Sequence, residues 1–215
     1  MRPTLFTYDI FGTVLDWRRG LTEAVAARGM TLSLADFERV IDHQGADEQR
    51  AFRPYREITA RSLVAVLGLD GRAADELGAT VGDWPLYPDS KEGLASLMKV
   101  APCVAMTNSD RAHRPQVEAQ LGFSLSHWFC AEELGLYKPS PDFWRAVANK
   151  LDRPLDRSWW HVSAYADYDL DVARSLGLTA VYIPRAHARP GAHDVTAPDL
   201  VALAALINDL KTDSK

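Results

Sequence analysis

The sequence predicts an α/β protein: a Rossmann-like, doubly wound parallel sheet with a helical unit inserted after its first strand. Three observations predict it. Short apolar, β-prone runs alternate with helical patterns along much of the 215 residues. That alternation implies βαβ crossovers and a sheet covered on both faces. Residues 18 to about 84 break the rhythm and contain no convincing strand. Finally, four strand-like segments end on polar residues, and a parallel sheet brings such ends to one edge, where open α/β sheets bind ligands.

The first strand is Leu5-Phe6-Thr7-Tyr8, which runs into Asp9-Ile10-Phe11-Gly12-Thr13-Val14-Leu15-Asp16-Trp17. A strand that stops on an acid and turns through Gly beside a hydroxyl residue places a carboxylate at the sheet edge. A carboxylate there can act as a covalent nucleophile. The next segment holds helix formers. Ser33-Leu34-Ala35-Asp36 resembles a capping box, and Phe52, Tyr55, Ile58, Leu63 and Leu67 form an apolar stripe near helical spacing. Trp84 to Asp89 reads as the return linker, with Asp89 capping a helix to about Leu97. The predicted division is therefore a core of residues 1–16 and 85–215 and a helical cap of residues 17–84.

Val100 to Met106 is the second strand, closed by Thr107-Asn108-Ser109-Asp110. His127 to Cys130 is a weaker strand, followed by Leu136-Tyr137-Lys138-Pro139. Ser140-Pro141 reads as an N-cap with Pro in the first turn, opening a helix to about Leu151. Trp159 to Ser163 and Leu178 to Ile183 are further strands. Between them, Asp169 to Leu176 reads as a helix closed by Gly177. The Pro-, Gly- and His-rich loop from Arg185 to Pro198 is expected to be exposed.

Composition narrows the function. Hydrophobic residues make up 47% and charged residues 25%, with a net charge of −5; these values suit a soluble globular protein. The acidic balance offers no footprint for nucleic acid or an anionic membrane. No apolar run approaches the roughly 20 residues of a membrane span. Met1-Arg2-Pro3 leads directly into the first strand, so the expectation is a cytoplasmic protein without a signal peptide. Cys103 and Cys130 sit in apolar runs and read as buried free thiols. None of the six His residues has metal-ligand spacing on a helix, and no cofactor is expected. His161, beside Trp159 and Trp160, reads as a packed strand residue.

At these residues the chain resembles the haloacid dehalogenase superfamily. Asp9-x-x-Gly12-Thr13 is similar to its first motif, Thr107-Asn108 to its second, Lys138-Pro139 to its third, and Asp169-Leu-Asp-Val-Ala173 with Gly177-Leu178 to its fourth. Phosphatases of that superfamily carry a second Asp two places after the first, where this chain has Phe11. They also carry an acid five residues before Asp169, where it has Ala164. An aromatic at Phe11, with Leu15-Asp16-Trp17 following, resembles the (S)-2-haloacid dehalogenases and related bacterial proteins, which need no metal.

The resemblance implies hydrolytic dehalogenation of a small 2-haloalkanoic acid through an aspartyl ester on Asp9. Lys138 would keep Asp9 ionised, and Thr13 and Thr107 would hydrogen-bond its carboxylate or the ester oxygen. Asn108 would face the leaving halide or the substrate carboxylate, with a local helix-capping role as its alternative. Phe11 and Tyr165 complete the expected substrate contacts. A cap arginine is needed as a carboxylate clamp; Arg39 lies nearest the expected place, with Arg53 and Arg56 as rivals and a solvated helix face as the plain alternative. Asp169 would orient the hydrolytic water, anchor Lys138 or cap its helix. The implied partner is a small carboxylic acid, and a homodimer is compatible with an apolar cap surface. Ala164 and Ala166 depart from the polar residues usual in the fourth motif, which supports a catalytically impaired relative as one alternative. The other alternative is a Mg-dependent phosphatase of a small metabolite, against which Phe11 and Ala164 argue.

Overall fold

A computed structural model of the chain describes residues 2–212. Six strands form one sheet: β1 (Leu5–Tyr8), β2 (Cys103–Thr107), β3 (His127–Cys130), β4 (Trp159–Ser163), β5 (Thr179–Tyr182) and β6 (Val195–Thr196). Their order is β3-β2-β1-β4-β5-β6, and all neighbours are parallel. From β1 the chain builds outward to β2 and β3, then returns to the other side of β1 with β4. The switch in winding direction therefore lies between β1 and β4, the place where sheets of this kind open a crevice at their carboxyl ends.

The central strands are apolar because both sheet faces are covered. Phe6 and Tyr8 point to one side, into a core shared with Leu94, Leu97, Leu200 and Leu203. These four come from α5 (Ser90–Leu97) and α10 (Leu200–Thr212). Leu5, Val104 and Met106 point to the other side, against Phe143, Trp144 and Val147 of α8 (Pro141–Leu151) and against Ala173 of α9 (Asp171–Ser175). The other flanking helices are α6 (His113–Leu121) and the single turn α7 (Ala131–Leu134).

Residues 17–84 hold no strand. They form α1 (Trp17–Ala26), α2 (Leu34–Glu48), α3 (Tyr55–Leu67), α4 (Gly71–Ala79) and a 3-10 turn at Val81–Asp83. Local chemistry starts three of these helices, α1, α2 and α4. Asp16 accepts from Arg19 N and Ser33 from Asp36 N, as N-caps do. The start of α3 has no side-chain cap of its own. Instead Asp110, in the loop after β2, accepts from Tyr55 N at 2.6 Å and Arg56 N at 2.8 Å. A carboxylate at a helix N-terminus is favoured by both the free N–H groups and the dipole, so Asp110 fastens α3 to the sheet edge. Trp17 packs on Phe37 and Trp84. Gly20 lets Trp84 approach so closely that a Cβ would lie 2.4 Å from it.

Three expectations need correction. Asp89 precedes α5 but does not cap it; its carboxylate accepts from Arg185 and from Leu200 N at the start of α10. The helix expected to begin at Asp169 begins as a wide π-type turn at Ala166–Leu170, so Asp169 lies inside it rather than at its cap. The loop 185–198 is not simply exposed. It contributes β6, buries the Arg185 side chain to 7% exposure, and folds Arg189 back toward the sheet edge. Cys103 and Cys130 are free and buried, and no helix among the described residues is long and apolar enough to cross a membrane.

Candidate active site

Asp9 follows β1 at the switch point and is 6% exposed. The turn after it depends on Gly12, whose φ of +99° suits glycine. A Cβ there would also stand 2.3 Å from the Tyr165 hydroxyl. This turn returns Thr13 to Asp9, and the Thr13 hydroxyl donates to Asp9 Oδ2 at 2.8 Å. Thr13 is itself fixed, because Ala164 N at the end of β4 donates to its Oγ1 at 2.9 Å.

Lys138 is 1% exposed and lies between two carboxylates. Its Nζ donates to Asp9 Oδ1 at 3.1 Å and to Asp169 Oδ2 at 2.8 Å. Asn108 sets its backbone from both sides: Lys138 N donates to Asn108 Oδ1 at 2.8 Å, and Asn108 Nδ2 donates to Lys138 O at 2.9 Å. Asp169 also accepts from Ser163 Oγ at 2.9 Å, and His161 Nε2 lies 3.7 Å from it. Burial disfavours the ammonium, but the two carboxylates outweigh it and hold the Lys138 pKa above its ordinary value. Burial likewise pushes Asp169 up, and Lys138 and His161 more than reverse that. For Asp9 burial prevails and its pKa is raised, against the opposing pull of Lys138. Burial also pushes His161 down. It packs beneath the ion pair, with Nδ1 2.8 Å from Thr7 Oγ1.

Above this floor lies a cavity of about 770 Å³. The sheet edge contributes Asp9, Phe11, Thr107, Asn108, Lys138, Tyr165 and Tyr168 to its lining, and the inserted helices contribute Trp17, Asp42, Glu48 and Tyr55. Of the residues singled out in the sequence, Asp9, Phe11, Thr107, Asn108, Lys138 and Tyr165 meet in this cavity, with Thr13 directly behind Asp9. Asp169 sits one layer below, fully buried, where it holds Lys138. Arg39 is not brought to the cavity. Its side chain is 62% exposed and pairs with Asp36 one turn away, since the face of α2 turned to the sheet carries Ile41, Gln44 and Glu48 instead. Arg53 and Arg56 pair with Glu57 and Asp75 outside it. The arginine that does line the cavity is Arg189.

Sequence reasoning missed two lining residues of consequence. Arg189 lay in the loop read as exposed. Its backbone is paired with Ala164 and Ala166 after β4, and its Nη2 lies 3.6 Å from Glu38 and 3.7 Å from Asp42. Glu48, at the end of α2, accepts from Asn108 Nδ2 at 3.1 Å and from the Tyr168 hydroxyl at 3.3 Å. Burial pushes its carboxyl up to about 8, more than Asn108 and Tyr168 pull it down. Neither residue stands out in the sequence, because nothing local marks which turn of α2, or which part of a loop, faces inward. Ala164 and Ala166 are fully buried; the polarity at this edge comes from Tyr165 and Tyr168.

A divalent ion does not fit these residues. Magnesium wants near-octahedral oxygen ligation. The Lys138 ammonium already lies between Asp9 and Asp169, Phe11 and Ala164 offer no side-chain oxygen, and no three His, Cys, Asp or Glu side chains converge as a metal site among the described residues.

A family model of haloacid dehalogenase-like hydrolases matches residues 3–160. No curated protein matches the chain in sequence. Among solved structures, a defluorinating L-2-haloacid dehalogenase is 24% identical with a TM-score of 0.81, the match covering 96% of this chain and 95% of that one. A second L-2-haloacid dehalogenase is 25% identical with a TM-score of 0.80, covering 97% and 99%. The L-2-haloacid dehalogenase from Xanthobacter autotrophicus with chloropropionic acid covalently bound is 16% identical with a TM-score of 0.81, covering 96% and 98%. The six-stranded parallel sheet, its order, and the family match over most of the length lead to one assignment: this chain belongs to the haloacid dehalogenase-like hydrolases.

Proposed function

We propose that the protein is a metal-independent dehalogenase of 2-haloalkanoic acids in which Asp9 is the nucleophile. An Asp9 oxygen forms a bond to C2 of the acid while the carbon–halogen bond breaks, and the halide leaves with the bonding pair. Water then adds to the Asp9 carboxyl carbon and releases the 2-hydroxy acid. One proton of that water ends on the hydroxyl, the other accompanies the halide, and Asp9 is regenerated as a carboxylate. Splitting one difficult displacement into two steps is what covalent catalysis supplies.

The observation that carries this reading is the setting of Asp9. It lines the cavity floor with Thr13 on one oxygen and Lys138 on the other. Both contacts favour the anion and fix its direction. Phe11 presents an apolar ring where a second acid would suit phosphoryl chemistry. Among the lining residues Arg189 offers the guanidinium fork for the substrate carboxylate, a role the sequence suggested for Arg39. The helices of residues 17–84 would serve as the cap over the core of residues 1–16 and 85–215. The L-2-haloacid dehalogenases among the similar structures support the same chemistry.

The test is incubation with 2-chloropropionate and with fluoroacetate, followed by halide assay and intact mass measurement. Free halide, or a mass increment located on Asp9, is the expected result. Neither halide nor adduct, or equal turnover by Asp9→Asn, would overturn the reading.

A further inference from the structure

The cavity is larger than a three-carbon haloacid needs, and its charges leave room for a further group on the acid. At about 770 Å³ it falls within the range of sites that enclose drug-sized ligands. Its walls are largely aromatic: Phe11, Trp17, Tyr55, Tyr137, Tyr165 and Tyr168. Its two cations already face acids, Lys138 with Asp9 and Asp169, Arg189 with Glu38 and Asp42.

Glu48 is different. Among the described residues its carboxyl has no ion-pair partner. Both of its hydrogen bonds, from Asn108 and Tyr168, fall on Oε2. A carboxylate has about four lone-pair sites, so most of its accepting capacity is open. A second observation points the same way. Thr107 is 1% exposed and lines the cavity, and its hydroxyl has no hydrogen-bond partner. A buried polar group of that kind calls for a partner. Ring faces are the negative side of an aromatic quadrupole, and cations settle against them. An open carboxyl and several ring faces around one space complement an ammonium group and not a second anion, and the unpartnered Thr107 hydroxyl can accept from such a group.

We propose that the substrate is a halo acid whose far end is an ammonium group, held by the Glu48 carboxylate and the ring faces around it. The proposal rests on the reading of Asp9 as nucleophile, and it assigns Glu48 as the residue that selects the substrate. Charge-assisted hydrogen bonds from an ammonium are the strong ones, so the group adds affinity that a plain haloalkanoate lacks.

The experiment is a calorimetric titration of the full chain with n-butylammonium and with n-butyrate at about pH 9, above the value of about 8 to which burial pushes the Glu48 carboxyl, so that it is ionised. Butylammonium is expected to bind about tenfold tighter than butyrate, and Glu48→Gln to weaken butylammonium by about tenfold, as loss of one charged hydrogen-bond partner does. Glu48→Asp, which keeps the charge, is expected to retain part of the affinity. Butyrate binding as tightly as butylammonium overturns the proposal, and so does butylammonium binding that a folded Glu48→Gln leaves unchanged. If that variant does not fold, the comparison of the two ligands on the native chain decides alone. Binding reads recognition only. A failure to release halide from 2-chloropropionate, with butylammonium binding intact, would count against the Asp9 chemistry and not against this assignment.

Discussion

The floor and the roof of the cavity are held in different ways. On the floor, both Asp9 oxygens, the Lys138 ammonium and the Thr13 hydroxyl have partners at 2.8–3.1 Å, and β1, β4 and the segment after β3 supply them. On the roof, Arg189 meets its acids only at 3.6–3.7 Å, and Glu48 meets no cation. The floor is built from backbone-anchored groups at strand ends, the roof from long side chains on a helix and a loop. On the proposed reading, the floor sets the reaction and the roof sets the substrate. A fixed floor can be kept across a family while a loosely held roof changes what is bound.

The largest test of that comparison is on the floor. Asp9→Asn is expected to lower halide release on the order of 10⁴-fold or more, as loss of a nucleophile does, with a thermal midpoint equal to or above the native one; a midpoint scan beside the halide assay checks both. Next comes Lys138→Met, which leaves Asp9 and Asp169 facing each other without their shared cation. Removing one partner of a buried ion pair costs about 3–5 kcal/mol, read from urea unfolding. Adding Asp169→Asn to that variant is expected to recover part of the loss. A smaller loss than one surface pair gives would mean that the floor is not fixed as described.

Effects at the roof are smaller and fall on recognition. Arg189→Ala is expected to raise KM for 2-chloropropionate about tenfold with little change in kcat, the pattern of an interaction shared by ground and transition states. Glu48→Gln is expected to change how stability depends on pH. The folded pKa of Glu48, about 8, lies above its ordinary 4.5. A raised carboxyl contributes stability that is fully present below about 4.5 and is lost as pH rises through about 8. The variant should therefore gain on the native chain over that window, measured as urea midpoints at several pH values. Lys138, Asp169, Tyr168, Tyr55 and Tyr137 are charged or titratable groups around it and are common to both chains. Last, Arg39→Ala should change stability by less than about 0.5 kcal/mol and leave halide release unaltered. A large effect there would bring the sequence expectation back.

Most of the floor is legible in the sequence because it sits at strand ends. Asp9, Thr107 and Ser163 each follow a short apolar run, and parallel winding alone brings such ends together. Helix α8 could be read from Ser140-Pro141, since cap and first-turn Pro act locally. The roof is not legible in this way. Asp47 and Glu48 look like an ordinary acidic surface pair, yet Glu48 turns into the cavity while Asp47 pairs with Arg61 and Arg50. Arg39 and Glu48 lie on one helix, and only tertiary packing decides that the second faces in. Arg189 looks like loop charge until the backbone pairing with Ala164 and Ala166 folds it over the strand ends. Of the alternatives for Asp169, the helix cap fails for a related reason: the turn begins three residues earlier, and the carboxylate lies under Lys138, as the anchoring alternative has it.

Asp89 has a wider reach than a helix-start residue. It joins the first residue of α10 to Arg185, and Arg185 in turn donates to Thr13 O at 2.9 and 3.1 Å. The closing helix of the chain is thus tethered, through two side chains, to the loop that aims the proposed nucleophile. Trimming that helix, or levering it away with a bulky C-terminal fusion, would slacken a turn almost two hundred residues earlier in the chain.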